Sequence, residues 1–131
     1  MRTIILQIGF TAIVALVSSG CGPAGPEKYE VSGTVTYAGK PVSSGDVIFI
    51  PEDTSLAPEA GKIVDGRFTA LAKAGKCRVE ITALDIGPDT PVMMGSPIAS
   101  NYIPEKYNRE STLAIEVKPN DDNVYEFPLE P

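Results

Sequence analysis

The dipeptide Asp65-Gly66, which separates two runs that carry apolar side chains, constrains the fold of this chain more than any other feature. A tight two-residue hairpin turn needs positive φ at its central residues, and Asp-Gly provides this at little cost. Such a turn sets Ile63 opposite Phe68, so that Ile63, Phe68 and Ala70 lie on one face. The sequence therefore predicts an antiparallel β-hairpin over residues 62–70.

The segment after the hairpin alternates between apolar and polar side chains. The apolar positions are Cys77, Val79, Ile81 and Ala83, and the polar positions are Arg78, Glu80 and Thr82. Strict alternation is typical of a strand that has one buried face and one solvated face. Together with the hairpin, it predicts an antiparallel sheet that buries one side of residues 62–84.

Shorter patterns of the same kind predict four further strands. They cover residues 29–37, 46–51, 111–117 and 124–129. Gly33 occupies an inward position, which indicates a bulge or the close approach of a neighbouring strand. Residues 46–51 form a continuous apolar run, which predicts a strand covered on both faces. Pro128 lacks an N–H group, so the last strand should lie at a sheet edge or leave the ladder there.

About seven strands of this kind, separated by turn residues, predict an all-β domain. Gly and Pro contribute 12 residues each to the 131, which favours turns and short strands over long helices. The expected fold is a single seven-stranded, mostly antiparallel β-sandwich, preceded by a signal peptide. The segment from Asp85 to Glu110 departs from this pattern, because its four prolines exclude a long helix or a central strand. A loop of this length in a small domain is usually functional or disordered.

The N-terminus has the pattern of a secretory signal peptide. Arg2 gives a positive start, residues 3–17 are largely apolar, and small residues lead to Cys21. The apolar part falls short of the ~20 residues that a spanning helix needs. The triplet Ser-Gly-Cys at residues 19–21 resembles the lipobox of bacterial lipoproteins, although Ser18 stands where that family usually has Leu. The resemblance implies cleavage after residue 20 and a diacylglycerol (palmitate) lipid on Cys21; an ordinary signal peptide is the alternative.

On this interpretation the chain has three parts. They are a signal peptide at 1–20, a lipidated Cys21 with a tether at 21–28, and the β-sandwich domain at 29–131. Two acyl chains anchor a protein stably where one does not. The expected location is therefore the cell membrane or outer membrane, with the domain facing the periplasm or the cell surface. Gly22 follows the cysteine where an inner-membrane retention signal of the family would have Asp, which favours the outer membrane.

Cys77 is left over if Cys21 carries lipid, and an unpaired cysteine in an exported protein has three interpretations. Its place in the inward alternation favours a small buried hydrophobic residue. A reactive thiol is the second interpretation. A disulfide between Cys21 and Cys77 is the third, and it would exclude lipidation.

Composition excludes several functional classes. The chain has no histidine, so the usual neutral-pH general base and the commonest metal ligand are both missing. Its net charge is -6, which makes nucleic acid a poor partner. Three carboxylate pairs could be imagined as acid–base pairs, namely Glu52-Asp53, Asp85-Asp89 and Glu105-Glu110. Asp121, Asp122 and Asn123 could offer oxygen ligands to calcium, but the spacing is more typical of a solvated turn. We therefore expect no enzyme, no cofactor and no metal site.

Three sequence stretches resemble the carboxypeptidase regulatory-like domains. They are Val-Ser-Gly-Thr-Val-Thr-Tyr-Ala-Gly-Lys-Pro-Val at 31–42, Asp-Gly-Arg-Phe at 65–68 and Ala-Gly-Lys-Cys-Arg-Val-Glu-Ile at 74–81. Residues 102–108 and 111–117 also resemble a subset of small bacterial envelope lipoproteins that carry this domain. The resemblance implies a transthyretin-like (prealbumin-like) sandwich without catalytic residues. Cys77 stands where the family commonly has Tyr.

Tyr102 and Tyr107 are the candidate ligand contacts, because exposed loop aromatics could stack on sugars or anchor a protein partner. Both could instead cap the core, and the absence of Trp weakens the sugar interpretation. The sequence thus predicts a non-catalytic envelope lipoprotein that serves in binding or structural interactions at the membrane surface. The alternative is a carbohydrate-binding module of the cell surface. The expected partners are the membrane, through Cys21, and an envelope protein or a polysaccharide.

Overall fold

The computed structural model describes residues 25–131, and the described part of the chain is an all-β domain, as predicted. The predicted signal peptide, the predicted lipidation of Cys21 and residues 22–24 of the predicted tether lie outside the described residues. A single turn of 3-10 helix covers Glu105–Tyr107. The strands are β1 (Lys28–Tyr37), β2 (Lys40–Pro41), β3 (Ser44–Pro51), β4 (Glu59–Val64), β5 (Arg67–Lys73), β6 (Gly75–Thr82), β7 (Leu84–Asp85), β8 (Val92–Met93), β9 (Ser96–Pro97), β10 (Ser100–Asn101), β11 (Ala114–Val117) and β12 (Asn123–Leu129).

The predicted hairpin is confirmed in turn and register. Asp65 and Gly66 have φ of 49° and 77°, and Ile63 pairs with Phe68 across the turn. The turn is also bonded to the chain that precedes β3, because the Gly66 N–H donates to the Val42 carbonyl at 2.7 Å. An isolated two-stranded hairpin is only marginally stable, so these contacts with the chain before β3 fix the orientation of the hairpin within the domain.

Seven of the strands form one continuous hydrogen-bonded sheet rather than two separate sheets. The strand order is β11-β6-β3-β4-β5-β1-β12, and β2 pairs with β1 outside this order. Neighbours are antiparallel except β1 and β12, which run parallel with Val35 opposite Phe127. The ladder between β4 and β5 contains only the two pairs next to the turn, whereas β3 pairs along β4 as far as Glu59. In the seven-strand order, the β4–β5 ladder at the centre therefore has the fewest paired residues.

The sheet curls around an aromatic centre. The Phe68 ring lies 6.0 Å from the Phe49 ring and 5.9 Å from the Phe127 ring, so that β3, β5 and β12 meet in the core. The edge strands also approach each other, because the Tyr125 hydroxyl on β12 donates to the Glu116 carbonyl on β11. Curling in this way covers both ends of the sheet, which would otherwise present unpaired strand edges.

Gly33 and Pro128 have the positions that the sequence predicted. A Cβ atom at Gly33 would lie 1.8 Å from the Tyr125 carbonyl oxygen and 3.0 Å from the Phe68 ring, so β12 approaches β1 as closely as only glycine allows. Pro128 lies on β12, which is an edge of the sheet. The inward residues of β6 are confirmed as well, because Cys77, Val79 and Ile81 are all buried.

The expectation that residues 46–51 are covered on both faces is wrong. Val47 and Phe49 are buried, but the alternate residues Ile48 and Ile50 are only partly buried. Ile48 pairs with Ala60 on β4 and with Glu80 on β6, so its side chain belongs to the outer face of the sheet. An apolar run of this length does not distinguish a strand covered on one face from a strand covered on both.

The strand register gives the domain two ends. At the first, β1 begins at Lys28 opposite Lys73, and Phe49 pairs with Glu59. We call it the tether pole, because the described chain enters there. At the other end, which we call the distal pole, Ser44 pairs with Val64 and Tyr37 pairs with Leu129. The distal pole therefore carries the hairpin turn and the end of β12.

A buried lysine organises the tether pole. Lys73 is only 8% exposed, and its ammonium donates to the Ala57 carbonyl at 3.0 Å and to the Glu59 carboxylate at 2.5 Å. Lys28 reaches the same carboxylate at 3.0 Å. The Lys73 and Lys28 hydrogen bonds hold the pKa of the Glu59 carboxyl below its usual value. The cluster joins the starts of β1 and β4 to the end of β5.

Asn123, which the sequence placed in a solvated turn, is buried at the same pole. Its amide donates to the carbonyls of Asn120, Lys118 and Glu30, and its oxygen accepts the Lys118 N–H at 2.8 Å. Buried side-chain amides are stable only with such partners. Asn123 thus fastens the β11–β12 connection to the start of β1.

Candidate functional site

The predicted loop from Asp85 to Glu110 leaves the sheet at the distal pole. Strand β7 pairs with β10, and the intervening chain makes the short hairpin of β8 and β9. Asn101 fixes the base of this excursion, because its side-chain oxygen accepts the N–H groups of Ala83 at 3.0 Å and Ile103 at 3.1 Å. The prediction of no long helix and no central strand here is confirmed.

The β8–β9 hairpin presents apolar side chains to solvent. Val92, Met93 and Met94 form what we call the apolar tip, and Met94 is 100% exposed. Ile86 and Ile98 on either side of the hairpin are also exposed. Scattered apolar side chains on a surface are ordinary, but a contiguous group of them usually marks a contact site. The excursion is therefore a candidate binding surface.

A cleft of about 940 Å³ lies beside the base of the excursion. It is lined by Lys40, Ser43, Ser44, Gly45, Asp46, Lys62, Leu84, Asp85, Ile86 and Tyr102. The lining mixes two ammonium groups, two carboxylates, two serine hydroxyls and a tyrosine. An ion pair of 2.5 Å joins Lys62 to Asp46 across β4 and β3. Such a wall offers both donors and acceptors to a polar ligand.

Tyr102 stands in the wall of this cleft and is 38% exposed. Its ring packs edge-on against Tyr37, with the centroids 5.7 Å apart. Partial burial, and then the nearby Asp85 carboxylate, raise the pKa of the Tyr102 hydroxyl above its usual value. The hydroxyl is protonated at neutral pH, as that of an ordinary tyrosine is, and can donate a hydrogen bond to a ligand.

Tyr107 has a different environment. It is half-buried against the core, and its hydroxyl accepts the Glu130 N–H at 3.0 Å. Lys106 places its ammonium 5.1 Å from the Tyr107 ring centroid and donates to the Pro131 carbonyl. Tyr107 thus fastens the end of the chain to the 3-10 turn, and it is not among the residues that line the cleft.

The carboxylate pairs considered in the sequence have mostly structural partners. Asp53 accepts hydrogen bonds from the Ser55 hydroxyl and N–H, which lower the pKa of its carboxyl. Glu105 pairs with Arg109 at 2.5 Å. Asp85 and Asp89 both line a second groove of about 360 Å³ next to the cleft. Within residues 25–131, no group of three or more acidic or cysteine side chains is arranged to hold a metal ion.

Cys77 is buried in the core, 2% exposed, and forms no disulfide within residues 25–131. Burial raises the pKa of its thiol, with the Glu52 carboxylate as a smaller cause. A thiol in this environment is a poor nucleophile, because the thiolate is the reactive form. The described residues also contain no helix long and apolar enough to cross a membrane.

Two solved structures overlap partly with this chain. One is a DUF3823 family protein from Parabacteroides merdae, with a TM-score of 0.41 and 17% identity over 81% of this chain and 46% of that chain. The other is a 9R-lipoxygenase from Cyanothece, with a TM-score of 0.36 and 18% identity over 79% of this chain and 16% of that chain. The chain thus spans less than half the length of either structure. No family model matches the chain, and no curated protein matches it.

Sequence reasoning found Tyr102 but missed the other walls of the cleft. Lys40 and Lys62 are not among the site residues that the sequence predicts. Their common location depends on the pairing of Asp46 with Lys62 in the β3–β4 ladder. Period-two alternation gives the face on which a side chain lies, but it does not give the neighbouring strand. No local signal in the sequence could have joined these residues.

Proposed function

We propose that the protein is an exported, lipid-anchored and non-catalytic envelope protein whose domain binds a partner at the distal pole. One observation carries the binding part of this proposal. The described chain enters at the tether pole, near Lys28 opposite Lys73, whereas the exposed excursion and the cleft lie at the distal pole. An anchored domain with this arrangement presents its contact surface away from the bilayer.

The anchor is supported by the N-terminal sequence. An apolar segment over residues 3–17 is followed by small residues and Cys21, as the lipobox resemblance requires. Each buried CH2 of an acyl chain contributes roughly 0.8 kcal/mol, so a doubly acylated Cys21 would hold the domain stably on a membrane. The resemblance of residues 31–42, 65–68 and 74–81 to carboxypeptidase regulatory-like domains supports a transthyretin-like sandwich as the finer description of the curled sheet.

A binding role is favoured over catalysis by the side chains available. The sequence has no histidine, and the carboxylates of Asp53 and Glu105 have neighbouring side chains as partners. General acid–base chemistry needs a titratable group whose pKa lies near the operating pH. The pKa of the Tyr102 hydroxyl is raised above its usual value, which takes it further from neutral pH than that of an ordinary tyrosine.

Mass spectrometry of fractionated cells tests the anchor directly. The mature N-terminal peptide should begin at Cys21, carry two or three acyl chains and occur in the membrane fraction. The variant Cys21→Ser should leave the protein uncleaved or release it from the membrane, because the lipid-bearing thiol is gone. An unmodified Cys21 peptide in the soluble fraction of the wild type would refute the anchor.

A second candidate function is carbohydrate binding in the cleft, and the exposed Tyr102 ring within a wall of mixed charges favours it. Sugars present an apolar ring face and many hydroxyls, which match an aromatic ring beside Lys62 and Asp46. A glycan array followed by calorimetry would test this. Tyr102→Ala should weaken a detected glycan by about 2 kcal/mol or more, roughly thirtyfold, whereas the matched Tyr107→Phe should bind like the wild type. Equal affinities for the two variants would remove the cleft as the sugar site.

A further inference from the structure

We infer that the apolar tip is a docking element for a protein partner, and that it inserts into an apolar pocket with a basic rim. The inference rests on the proposed function for the location of the tip, but it names the chemistry of the partner. Val92, Met93 and Met94 expose contiguous apolar surface at the end of the β8–β9 hairpin. Methionine side chains suit such a contact, because they are unbranched and adapt to the shape of a pocket.

The backbone at Met94 indicates that the side chain is there for a contact. Met94 has φ of 52° and Gly95 has φ of 84°, the same turn geometry as Asp65-Gly66. Residues with positive φ in such turns are usually Asn, Asp or Gly, and a side chain such as Met is disfavoured. Met94 is also fully exposed. The turn therefore holds a long apolar side chain in solvent at a position where Asn, Asp or Gly is usual, which is what a docking contact requires.

Charge gives the chemistry of the partner. Between Arg78 and Lys106 the sequence has no Lys or Arg, and its acidic residues between β6 and the 3-10 turn are Asp85 and Asp89. Both carboxylates line the groove beside the hairpin. An apolar contact with two carboxylates on the same excursion is complementary to an apolar pocket with Lys or Arg on its rim, which would also steer the encounter.

The same charges disfavour the two other candidate partners of the tip, which are a lipid bilayer and a second copy of this chain. Amphipathic segments that lie on bilayers carry Lys and Arg, and anionic lipids repel carboxylates. The tip is also at the pole opposite to Lys28, where the described chain enters. A second copy of the chain would bring two acidic proteins together, because each has a net charge of -6.

Site-specific photocrosslinking in intact envelopes of the native cells tests the inference with the full-length protein. A photoreactive residue replaces Met93 on the tip or, as a reference position, Leu71 on the outer face of β5. Each carries an exposed side chain in the wild type. We expect position 93 to give a discrete adduct with another protein, and position 71 to give none above background.

Three substitutions in the position-93 protein decide whether this adduct reflects docking. Met94→Asn places a preferred turn residue at positive φ, so the hairpin is retained while the apolar contact is lost, and the adduct should fall by at least about tenfold. Asp89→Lys should lower the adduct several-fold, because it would face a basic rim. Val124→Asn removes an exposed apolar side chain from the outer face of β12 and should leave the adduct unchanged.

Several outcomes would overturn the inference. They are an adduct to lipid, an adduct of two copies of the chain, an adduct insensitive to Met94→Asn, or equal yields at positions 93 and 71. The mass of the Cys21 peptide, measured in the same samples, separates these failures from a failure of the anchor. A protein adduct that depends on Met94 and Asp89 supports the inference whether or not Cys21 is acylated.

Discussion

Replacing Gly33 with alanine should destabilise the domain strongly, because the β-carbon has no space. The atom would lie 1.8 Å from the Tyr125 carbonyl oxygen, 2.8 Å from the Tyr125 carbonyl carbon and 3.0 Å from the Phe68 ring. Most of these atoms are backbone, so relief requires β12 to move away from β1. That movement would disturb a ladder of seven residue pairs and the contact between Phe68 and Phe127.

The magnitude follows from two opposing effects. Gly→Ala at a compatible position stabilises a protein by about 0.4–1 kcal/mol, because the unfolded chain loses freedom. Overpacking a core typically costs about 1–3 kcal/mol and more where backbone must shift. We expect Gly33→Ala to lower the free energy of unfolding by about 2–3 kcal/mol, and the melting temperature by roughly 10–20 °C.

Thermal and urea unfolding, followed by circular dichroism, measure this effect. Gly87→Ala is the matched control, since its β-carbon would meet no atom closer than 4.0 Å, and it should unfold like the wild type. If Gly33→Ala unfolded within about 2 °C of the wild type, the close approach of β12 to β1 would be wrong.

Three further predictions concern buried polar groups. The Glu59 pKa is lowered from about 4.5, chiefly by Lys73, so its stabilising contribution is present above that pH and is lost as the pH falls through the folded pKa. The unfolding free energy of Glu59→Gln, measured by urea titration, should therefore depend less on pH between about 5 and 3 than that of the wild type; parallel profiles would contradict this. Asn123→Ala should lower the urea midpoint at an unchanged m-value. The free energy of unfolding should fall by about 2–4 kcal/mol, because buried backbone groups lose their hydrogen-bond partners. A loss under about 0.5 kcal/mol would contradict the structural role of Asn123. Maleimide should label Cys77 slowly in the native protein and fully in urea; fast native labelling would contradict its burial, and no labelling in urea without reductant would indicate a disulfide with Cys21.

The sequence contained most of the sheet, because local signals determine local structure. The Asp65-Gly66 dipeptide predicted both the turn and its register, and the alternation from Cys77 to Ala83 predicted the buried face of β6. Gly33 also predicted the close approach of another strand, although no neighbouring residue in the sequence identified that strand as β12. These predictions hold because turn geometry and side-chain period depend on neighbouring residues.

What the sequence could not provide depends on long-range pairing. The parallel pairing of Val35 with Phe127 joins the first long strand, β1, to the last strand, β12, and no pattern within either strand specifies it. The partial exposure of Ile48 follows from its neighbours on β4 and β6. The cleft is a consequence of the same pairings, which is why Lys62 was not recognised as part of a site beside Tyr102.

The central claim is that the anchor and the contact surface lie at opposite ends of the domain. The ten residues of β1 separate the two poles by roughly 30 Å at about 3.3 Å per residue. Energy transfer from a fluorophore on the full-length, membrane-bound protein to acceptors in the bilayer measures this arrangement, with the fluorophore at Asp121 or at Met94. We predict transfer several-fold stronger from position 121 than from position 94. Equal or stronger transfer from position 94 would mean that the apolar tip rests on the membrane, and would contradict the account.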